Sequence, residues 1–349
     1  MFKPNCFFYD QNGNRYWSKY DAANSSNQIY LYYFDWFYQA QNWTVEPQTN
    51  LRVLYHQRAQ KIRDEYEYVA LAYSGGIDST NVLESFYYNN LHIDEIIIAG
   101  AFSRDSATGS DENHNGEIYN NCFETLKQLS LPRTKISIID YTENMNSYSL
   151  IKQDDWYREI GSYYSYHHWF WYDIQSRYEG SKKTALVFGI DKPLVEWDEN
   201  NKAYTYFLDL CLLSYGFTTN RFNQKNNAER LNFYWHPDAF DILSKQCHLI
   251  KNFYDSYVGP DKMLTFDQFW TRYTSISSKL IYDVKHKLKF ISPKSTTRLL
   301  SLRDTYSQRG NDFAELEIFK NYTHGVRKLG ESKFTNPVYS QKYYLDLLE

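Results

Sequence analysis

Long apolar runs are missing from this chain of 349 residues, and its mean hydropathy is -0.67. No stretch approaches the roughly 18–20 consecutive apolar residues that cross a membrane, so we expect no contact with a membrane. Glycine (14 residues) and proline (8 residues) are scarce, which excludes a collagen-like or linker-rich chain. The first residues also lack the basic-then-apolar order of a signal peptide.

Cysteine is limited to four widely separated residues, Cys6, Cys122, Cys211 and Cys247. None forms a Cys-x-x-Cys pair, so nothing supports a cysteine-built zinc site, and a disulfide framework is not expected at this length. We therefore expect a protein of the reducing cytoplasm (the host cytoplasm, if the gene is viral). The net charge of -4 and the pI of about 6.2 argue against bulk attraction to nucleic acid, although they leave local basic patches open.

Aromatic residues are abundant, because 35 Tyr, 22 Phe and 9 Trp make up 19% of the chain. This supply of core-forming side chains argues against disorder. Tyr and Phe have AT-rich codons, so a biased genome such as a viral one would explain the excess without any function. The aromatic residues concentrate at 155–178 and 232–240.

Short apolar runs alternate with helical patterns in the middle of the chain. Runs at 67–73, 94–102, 135–141 and 183–189 predict four strands, with helices after the first strand, near 116–129 and over 155–178. Such alternation is typical of a parallel sheet covered by helices on both faces, which is the α/β class.

Three regions follow from this pattern. Residues 1–66 form an aromatic-rich segment, with a hairpin about the turn Asp10–Asn14 and a helix over 50–65 that leads into the sheet. Residues 67–200 form the α/β domain. Residues 201–349 are predicted to be a mostly helical accessory region.

One motif carries chemistry, the run Tyr-Ser-Gly-Gly-Ile-Asp-Ser-Thr at 73–80, between the first core strand and its helix. Two glycines let the backbone turn tightly and approach a ligand. Backbone N–H groups and the hydroxyls of Ser74, Ser79 and Thr80 converge at a helix N-terminus, which favours a phosphate. Asp78 would repel a bare phosphate, but it can hold Mg²⁺ against pyrophosphate oxygens. Neither GxxxxGK[ST] nor GxGxxG occurs in the chain.

The Ser-Gly-Gly-x-Asp-Ser pattern of Ser74–Ser79 resembles the signature of the PP-loop ATP pyrophosphatases, over roughly residues 50–195. The resemblance implies a parallel sheet of the HUP type, with ATP and Mg²⁺ as cofactors. Enzymes of this family cleave ATP between its α- and β-phosphates. An acceptor oxygen attacks the α-phosphorus, pyrophosphate leaves, and an amine, ammonia or a sulfur donor then displaces AMP.

The resemblance also assigns roles to individual residues. ATP is expected to contact the loop residues Ser74, Gly75, Gly76, Asp78, Ser79 and Thr80, and also Ala72, Phe102 and Gly189 at neighbouring strand ends. The segment Gly-Ile-Asp-Lys-Pro at 189–193 reaches the same rim of the sheet, where asparagine synthetases have a longer Gly-rich segment ending in Asp-Glu. Asp191 is expected to hold Mg²⁺ with Asp78, and Lys192 to act in catalysis with Asp78 by neutralising pyrophosphate. The alternative is a solvated turn.

Other features select a branch of the family. Position 2 is Phe rather than the catalytic cysteine of glutamine-dependent asparagine synthetases, and 66 preceding residues are too few for a glutaminase domain. The missing cysteine pairs argue against thiolating and nitrile-forming members. The helix before the core resembles that of asparagine synthetases. We therefore expect an asparagine synthetase-like ligase for a small acceptor with a carboxylate or carbonyl, with nitrogen from an amine, free ammonia or a separate ammonia-supplying subunit.

Two other classes stay open. Basic residues in the C-terminal third, including Lys279, Lys285 and His286, would suit a nucleic-acid-modifying member that adenylates a base carbonyl. The second class is a non-catalytic ATP-binding or assembly protein, which would have the fold without the catalytic activity.

An acceptor pocket would be sought where the aromatic residues concentrate, at 155–178 and 232–240. The patch of Trp235 and His236 with Lys245 and His248 offers a substrate pocket as an alternative to plain packing.

Overall fold

The computed structural model describes residues 6–100, 102, 116–140, 158, 171, 174–178, 182–190, 192–209, 228–257, 277–286, 288 and 338–347. The strands are β1 (Cys6–Asp10), β2 (Arg15–Tyr16), β3 (Ile29–Tyr33), β4 (Tyr68–Ala72), β5 (Glu95–Gly100), β6 (Lys135–Asp140), β7 (Thr184–Phe188), β8 (Leu194–Trp197), β9 (Ala203–Tyr206), β10 (Ala228–Asn232) and β11 (Tyr343–Tyr344). The helices are α1 (Lys19–Ser25), α2 (Asp35–Tyr38), α3 (Leu51–Glu65), α4 (Ile77–Tyr87), α5 (Phe123–Gln128) and α6 (Phe240–Tyr257). A π-helical turn (Ile118–Cys122) precedes α5, and a 3-10 turn (Pro237–Ala239) precedes α6.

A five-stranded sheet, in which every neighbouring pair is parallel, lies at the centre in the order β10-β7-β4-β5-β6. The four predicted strands are confirmed as β4 to β7, and so is the α/β class. The chain adds β5 and β6 on one side of β4, and then β7 and β10 on the other side. The direction in which strands are added therefore reverses between β4 and β7. Ligands of doubly wound sheets bind beyond the carboxyl ends of the strands at such a reversal. The segments that leave β4 and β7 are therefore the ones to examine.

The fifth strand, β10, is an addition to the predicted sheet. Its sequence Ala-Glu-Arg-Leu-Asn has no apolar run, and it pairs along the outside of β7 at one edge. An edge strand needs fewer apolar side chains than a central one, which explains why its pattern gave no signal.

The sheet is covered on both faces. On one face, register places Leu71 beside Ile96 and Val187, all three fully buried, and α3 packs against α4 there. Alternation of side chains puts Phe188 on the other face, where the ring of Trp171 lies 4.8 Å away, edge-on. The predicted lead-in helix is confirmed as α3, which begins at the cap Asn50, whose side chain accepts from the Val53 N–H.

The N-terminal segment forms an antiparallel sheet in the order β2-β1-β3, with the predicted hairpin between β1 and β2. Its aromatic side chains build a core with residues from β9, from the segment after it, and from β11. The ring of Phe207 lies 4.8 Å from the rings of both Tyr33 and Tyr38, and Trp43 stacks on Tyr343 at 4.9 Å. Part of the aromatic excess therefore serves packing.

Beyond residue 200, the described residues contain strands as well as a long helix. Two strands beyond residue 200, β9 and β11, form a small antiparallel sheet with β8 in the order β11-β9-β8, and β10 joins the central sheet. The expectation of a mostly helical region is therefore not confirmed. Ala-Tyr-Thr-Tyr in β9 consists largely of strand-forming residues, a signal that its short length hid.

The predicted helix over 155–178 lies almost entirely outside the described residues. In the part of the chain that is described, no helix is both long and apolar enough to cross a membrane.

Candidate functional site

The loop between β4 and α4 turns at two glycines. Gly75 adopts the left-handed region with φ of +81°. A Cβ there would stand 2.6 Å from the Cys122 nitrogen and 2.8 Å from the Glu117 carbonyl oxygen. Only glycine meets both the backbone conformation and this close approach. Gly76 follows as the N-cap of α4.

The loop hydroxyls are held by short-range hydrogen bonds. The Ser74 and Ser79 Oγ atoms lie 3.2 Å apart, and the Gly76 N–H donates to Ser74 Oγ at 3.2 Å. Ser79 Oγ lies 3.2 Å from the Gly76 carbonyl oxygen, to which it donates. Ser74 is exposed and Ser79 is buried. Hydroxyls and N–H groups thus gather at the N-terminus of α4, where the helix dipole favours a negative charge.

Thr80 does not join this group. Its side chain is fully buried, and its Oγ1 lies 3.3 Å from the hydroxyl of buried Tyr73. One residue turns an α-helix by about 100°, which carries Thr80 from the side of Ser79 to the core side. In this structure the Thr80 hydroxyl contacts Tyr73 in the core, and its expected contact with the nucleotide stays a prediction.

Asp78 meets Lys192 across the winding reversal of the sheet. The Lys192 Nζ lies 3.0 Å from Asp78 Oδ1 and 3.1 Å from Oδ2, although 114 positions separate the two residues. The Lys192 side chain is only 6% exposed, whereas the Asp78 side chain is 25% exposed. The structure thus brings together the two residues that sequence reasoning named as catalytic. Asp191, the expected second magnesium ligand, lies outside the described residues.

Gly189, at the end of β7, gives the loop its close seat on the sheet. A Cβ at this position would stand 2.9 Å from the Asp78 carbonyl oxygen and 2.9 Å from the Ser79 Cα. The first turn of α4 therefore lies directly against the end of β7, which any side chain at Gly189 would prevent. The absence of a side chain at Gly189 thus allows the first turn of α4 to pack against the end of β7.

Ala72 and Phe102 occupy the neighbouring strand ends. Ala72 is the last residue of β4 and is half-buried. Phe102 follows β5, is half-buried, and lies 6.0 Å from the ring of Tyr119. Both therefore lie at the carboxyl ends of their strands, the position at which adenine is predicted to bind.

Two residues at the loop were missed by the sequence analysis. The hydroxyl of fully buried Tyr234 donates to the Asp78 carbonyl oxygen at 2.8 Å and accepts from Asn81 Nδ2 at 3.0 Å. Burial raises the pKa of Tyr234 well above its ordinary value, so it acts as a neutral donor. Glu117 is the second, because its Oε2 lies 3.3 Å from the point where a Cβ on Gly76 would stand. Neither has a local signal, since only the fold brings them to the loop.

The described side chains around residues 232–248, where an acceptor pocket was one alternative, take part in contacts within the fold. Trp235 is buried, Lys245 lies 2.6 Å from a Glu46 carboxylate oxygen, and His248 Nε2 lies 2.9 Å from the Trp43 carbonyl oxygen. Lys245 and His248 thus link α6 to the N-terminal segment, and Trp235 belongs to the core.

A cavity of about 360 Å³ lies on the sheet face that carries Glu95, and no residue of the Ser74–Ser79 loop lines it. Glu95 accepts from the Tyr68 hydroxyl at 2.8 Å and the Tyr178 hydroxyl at 2.9 Å, and Lys135 Nζ lies 3.0 Å away. Burial acts to raise the pKa of Glu95, but the Ser137 hydroxyl and these other donors outweigh it and lower the pKa. The Glu95 carboxylate is thus held by donors of the protein itself.

The described part of the basic C-terminal region contacts α4. The Glu84 carboxylate accepts the N–H groups of Lys285 (2.8 Å) and His286 (2.9 Å), and Lys285 Nζ lies 3.5 Å from the ring centre of Tyr88. Lys279 is exposed. These contacts fix the segment to the helix that begins at the loop.

The acidic groups at the loop suit a divalent cation shared with a ligand. Within the described ranges, no group of three or more His, Cys, Asp and Glu side chains could hold a metal ion. Proteins usually bind Mg²⁺ through one or two carboxylates together with substrate phosphates. Asp78 and Glu117 provide two carboxylates beside the N–H groups that would receive the phosphate. The donor set therefore fits Mg²⁺ bound with a polyphosphate.

Comparison with known proteins leaves this geometry as the ground for assigning a function. No protein-family model matches the chain. No curated protein matches its sequence.

Proposed function

We propose that this chain is an ATP-dependent ligase of the PP-loop ATP pyrophosphatase type. The observation that carries the proposal is the meeting of Asp78, in the Ser74–Ser79 loop, with buried Lys192 at the winding reversal of a parallel sheet. A solvated turn, which was the alternative for Lys192, would leave its ammonium exposed. Instead, the Lys192 side chain is only 6% exposed, so its charge is costly to hold, and it lies beside the loop that would bind the leaving pyrophosphate.

In the proposed reaction, an acceptor oxygen forms a bond to the α-phosphorus of ATP, and the bond from that phosphorus to the β-bridging oxygen breaks. Pyrophosphate carries away the electron pair of that bond. The chain would bind the leaving group with the Gly76 N–H, the Ser74 and Ser79 hydroxyls and the N-terminus of α4, and Lys192 would transfer from Asp78 to its oxygens. Charge neutralisation and positioning suffice for this step, so no protein base is needed.

Mg²⁺, held by Asp78 together with Glu117 or Asp191, would neutralise phosphate charge as it develops. The adenylated acceptor is then attacked at carbon by an amine or by ammonia, and AMP leaves with its bridging oxygen. The product is an amide if the acceptor is a carboxylate, as in asparagine synthetases. This finer assignment, including a separate ammonia-supplying subunit, rests on the resemblance of the loop and of the lead-in helix α3.

The test uses the full chain with ATP labelled at the α-phosphorus, Mg²⁺ and a pool of small carboxylates, carbonyl compounds and ammonium. We expect labelled AMP and unlabelled pyrophosphate, with transient label on the acceptor. Asp78→Asn abolishes this turnover, while Asp64→Asn, an exposed position on α3, leaves it unchanged. Label in ADP alone refutes the ATP pyrophosphatase assignment.

A second pool of tRNA and DNA in the same assay separates the acceptor classes. Transient label on nucleic acid assigns the acceptor to a base carbonyl and overturns the small-molecule acceptor. A folded protein that binds Mg-ATP but never releases pyrophosphate in either pool indicates a non-catalytic ATP-binding protein.

A further inference from the structure

The cavity beside Glu95 has its polar wall at the end of the strands opposite the Ser74–Ser79 loop. Tyr68, Glu95 and Lys135 are the first residues of β4, β5 and β6, and all three line the cavity. The loop instead follows Ala72, the last residue of β4. Because these strands are parallel, the polar wall and the loop lie at opposite edges of the sheet.

Much of the remaining wall is apolar. Ile97, Ile139 and Ile174 line the cavity. The rings of Tyr68 and Tyr178 line it as well, with their centres 5.8 Å apart. A volume of about 360 Å³ falls within the range of about 300–1,000 Å³ typical of small-molecule sites. The cavity therefore suits a compact ligand with one or two rings.

The Glu95 carboxylate has no acceptor position left for a ligand. Its Oε2 accepts from the hydroxyls of Tyr68 and Tyr178, and its Oε1 from the Ser137 hydroxyl and the Lys135 ammonium. Two carboxylate oxygens offer about four such positions, and all four are used. Among the described residues no other carboxylate lines the cavity, so a cationic ligand would find no partner there.

Basic groups, in contrast, outnumber acidic ones in the wall. Lys135, Arg177 and Lys182 line the cavity together with the single acidic residue Glu95. In the described part of the chain no carboxylate pairs with the Arg177 guanidinium, which is exposed. Lys135 directs one N–H group at Glu95 and carries two more. The charge of the wall thus favours an anion.

We propose that this cavity binds a small organic carboxylate with a planar apolar body, at a site separate from the nucleotide loop. The planar Arg177 guanidinium suits a carboxylate, to which it can donate two parallel hydrogen bonds, and the spare N–H groups of Lys135 add to it. The isoleucine and tyrosine side chains receive the apolar body. Tyr68 gives its proton to Glu95, so its oxygen can accept an N–H or O–H group of the ligand.

The experiment titrates the full chain with indole-3-acetate and with 4-hydroxybenzoate, each compared with its uncharged amide, by saturation-transfer NMR. The variants are Arg177→Gln, which removes the exposed charge, and Ile139→Trp, which fills part of the cavity. The matched control is Arg133→Gln, an exposed arginine just before β6 that does not line the cavity. Thermal unfolding of each variant establishes that it is folded.

The unchanged chain is expected to bind at least one of the two carboxylates with a Kd of about 1 mM or below, as a ligand of this size allows. The amide of that compound binds at least about tenfold more weakly, since it lacks the charge. Arg177→Gln weakens binding of the carboxylate by a similar factor, Ile139→Trp abolishes it, and Arg133→Gln leaves it unchanged.

Three results overturn the inference. Neither carboxylate binds the unchanged chain, or the amides bind as tightly as the acids, or folded Arg177→Gln and Ile139→Trp bind as the unchanged chain does. Excess magnesium pyrophosphate provides the last check, because it should leave the bound probe in place. Displacement of the probe would place it at the loop and refute a separate site. The proposed function of the loop stands or falls independently of these outcomes.

Discussion

Replacing Gly75 by alanine tests the geometry of the loop most sharply, because the structure gives two separate costs. The left-handed φ of +81° costs an alanine about 1–2 kcal/mol. The new Cβ would also stand 2.6 Å from the Cys122 nitrogen and 2.8 Å from the Glu117 carbonyl oxygen, both backbone atoms that cannot rotate away. Such overpacking adds about 1–3 kcal/mol. We expect Gly75→Ala to lower the free energy of unfolding by about 2–5 kcal/mol, a large share of the 5–15 typical of a domain.

Gly13 provides a matched control within the same chain. Its φ is +80°, and a Cβ there would meet nothing within 4 Å. Gly13→Ala therefore carries the conformational cost of about 1–2 kcal/mol without the clash. Urea unfolding followed by tryptophan fluorescence gives both values, and calorimetry with Mg-ATP gives the effect on the loop. Gly75→Ala should weaken Mg-ATP binding at least about tenfold because the backbone must shift, while Gly13→Ala should not change it.

Equal destabilisation by the two substitutions would refute the reasoning, because it would show that Gly75 does not lie against the π-helical turn. If Gly75→Ala is measurably destabilised but binds Mg-ATP as the unchanged chain does, the loop does not contribute to nucleotide binding.

Three further predictions concern residues that support the site or the fold. Lys192→Met should weaken Mg-ATP binding by about tenfold or more in calorimetry, because a charge-assisted contact is lost, whereas Lys192→Arg should restore most of it. Tyr234→Phe removes two buried hydrogen bonds, one of them to the Asp78 carbonyl oxygen, and should lower the free energy of unfolding by about 1–3 kcal/mol; no change in urea unfolding would contradict the contact. Burial raises the pKa of Asp35 to about 6, above the value near 3.8 expected in the unfolded chain. The folded state therefore binds the proton more tightly than the unfolded state. The stability that this group contributes is lost as the pH rises through 6. From pH 5 to pH 8 the unchanged chain should lose about 1–1.5 kcal/mol that Asp35→Asn does not lose, measured by urea unfolding at both pH values.

The central sheet could be predicted because each of its inner strands has a recognisable local sequence pattern. Residues 68–72 and 95–100 are buried on both faces and therefore form continuous apolar runs. The edge strand Ala228–Asn232 has no such run, since Glu229 is exposed. Its place in the sheet comes from backbone pairing with β7 and not from an apolar sequence pattern. Its place was therefore invisible to a local pattern.

The site divides in the same way. Residues close in sequence to the Ser-Gly-Gly-x-Asp-Ser motif could be predicted, and so could Lys192, because the carboxyl ends of parallel strands share one rim. The burial of Thr80 could not be predicted, since motif spacing does not show which side of α4 faces the core. Tyr234 and Glu117 reach the loop through contacts that only the tertiary fold creates. Whether the aromatic residues around Trp235 form a core or a pocket stayed open in the sequence, because exposed and buried aromatic residues look alike there; in the structure Trp235 is buried.

The position of the cut in ATP tests the central claim most directly. With α-labelled ATP, Mg²⁺ and the acceptor pools, the account predicts labelled AMP together with pyrophosphate, and loss of both in Asp78→Asn but not in Asp64→Asn. Labelled ADP with orthophosphate, formed by the unchanged chain and lost in Asp78→Asn, would place the cut at the β–γ bond and contradict the account.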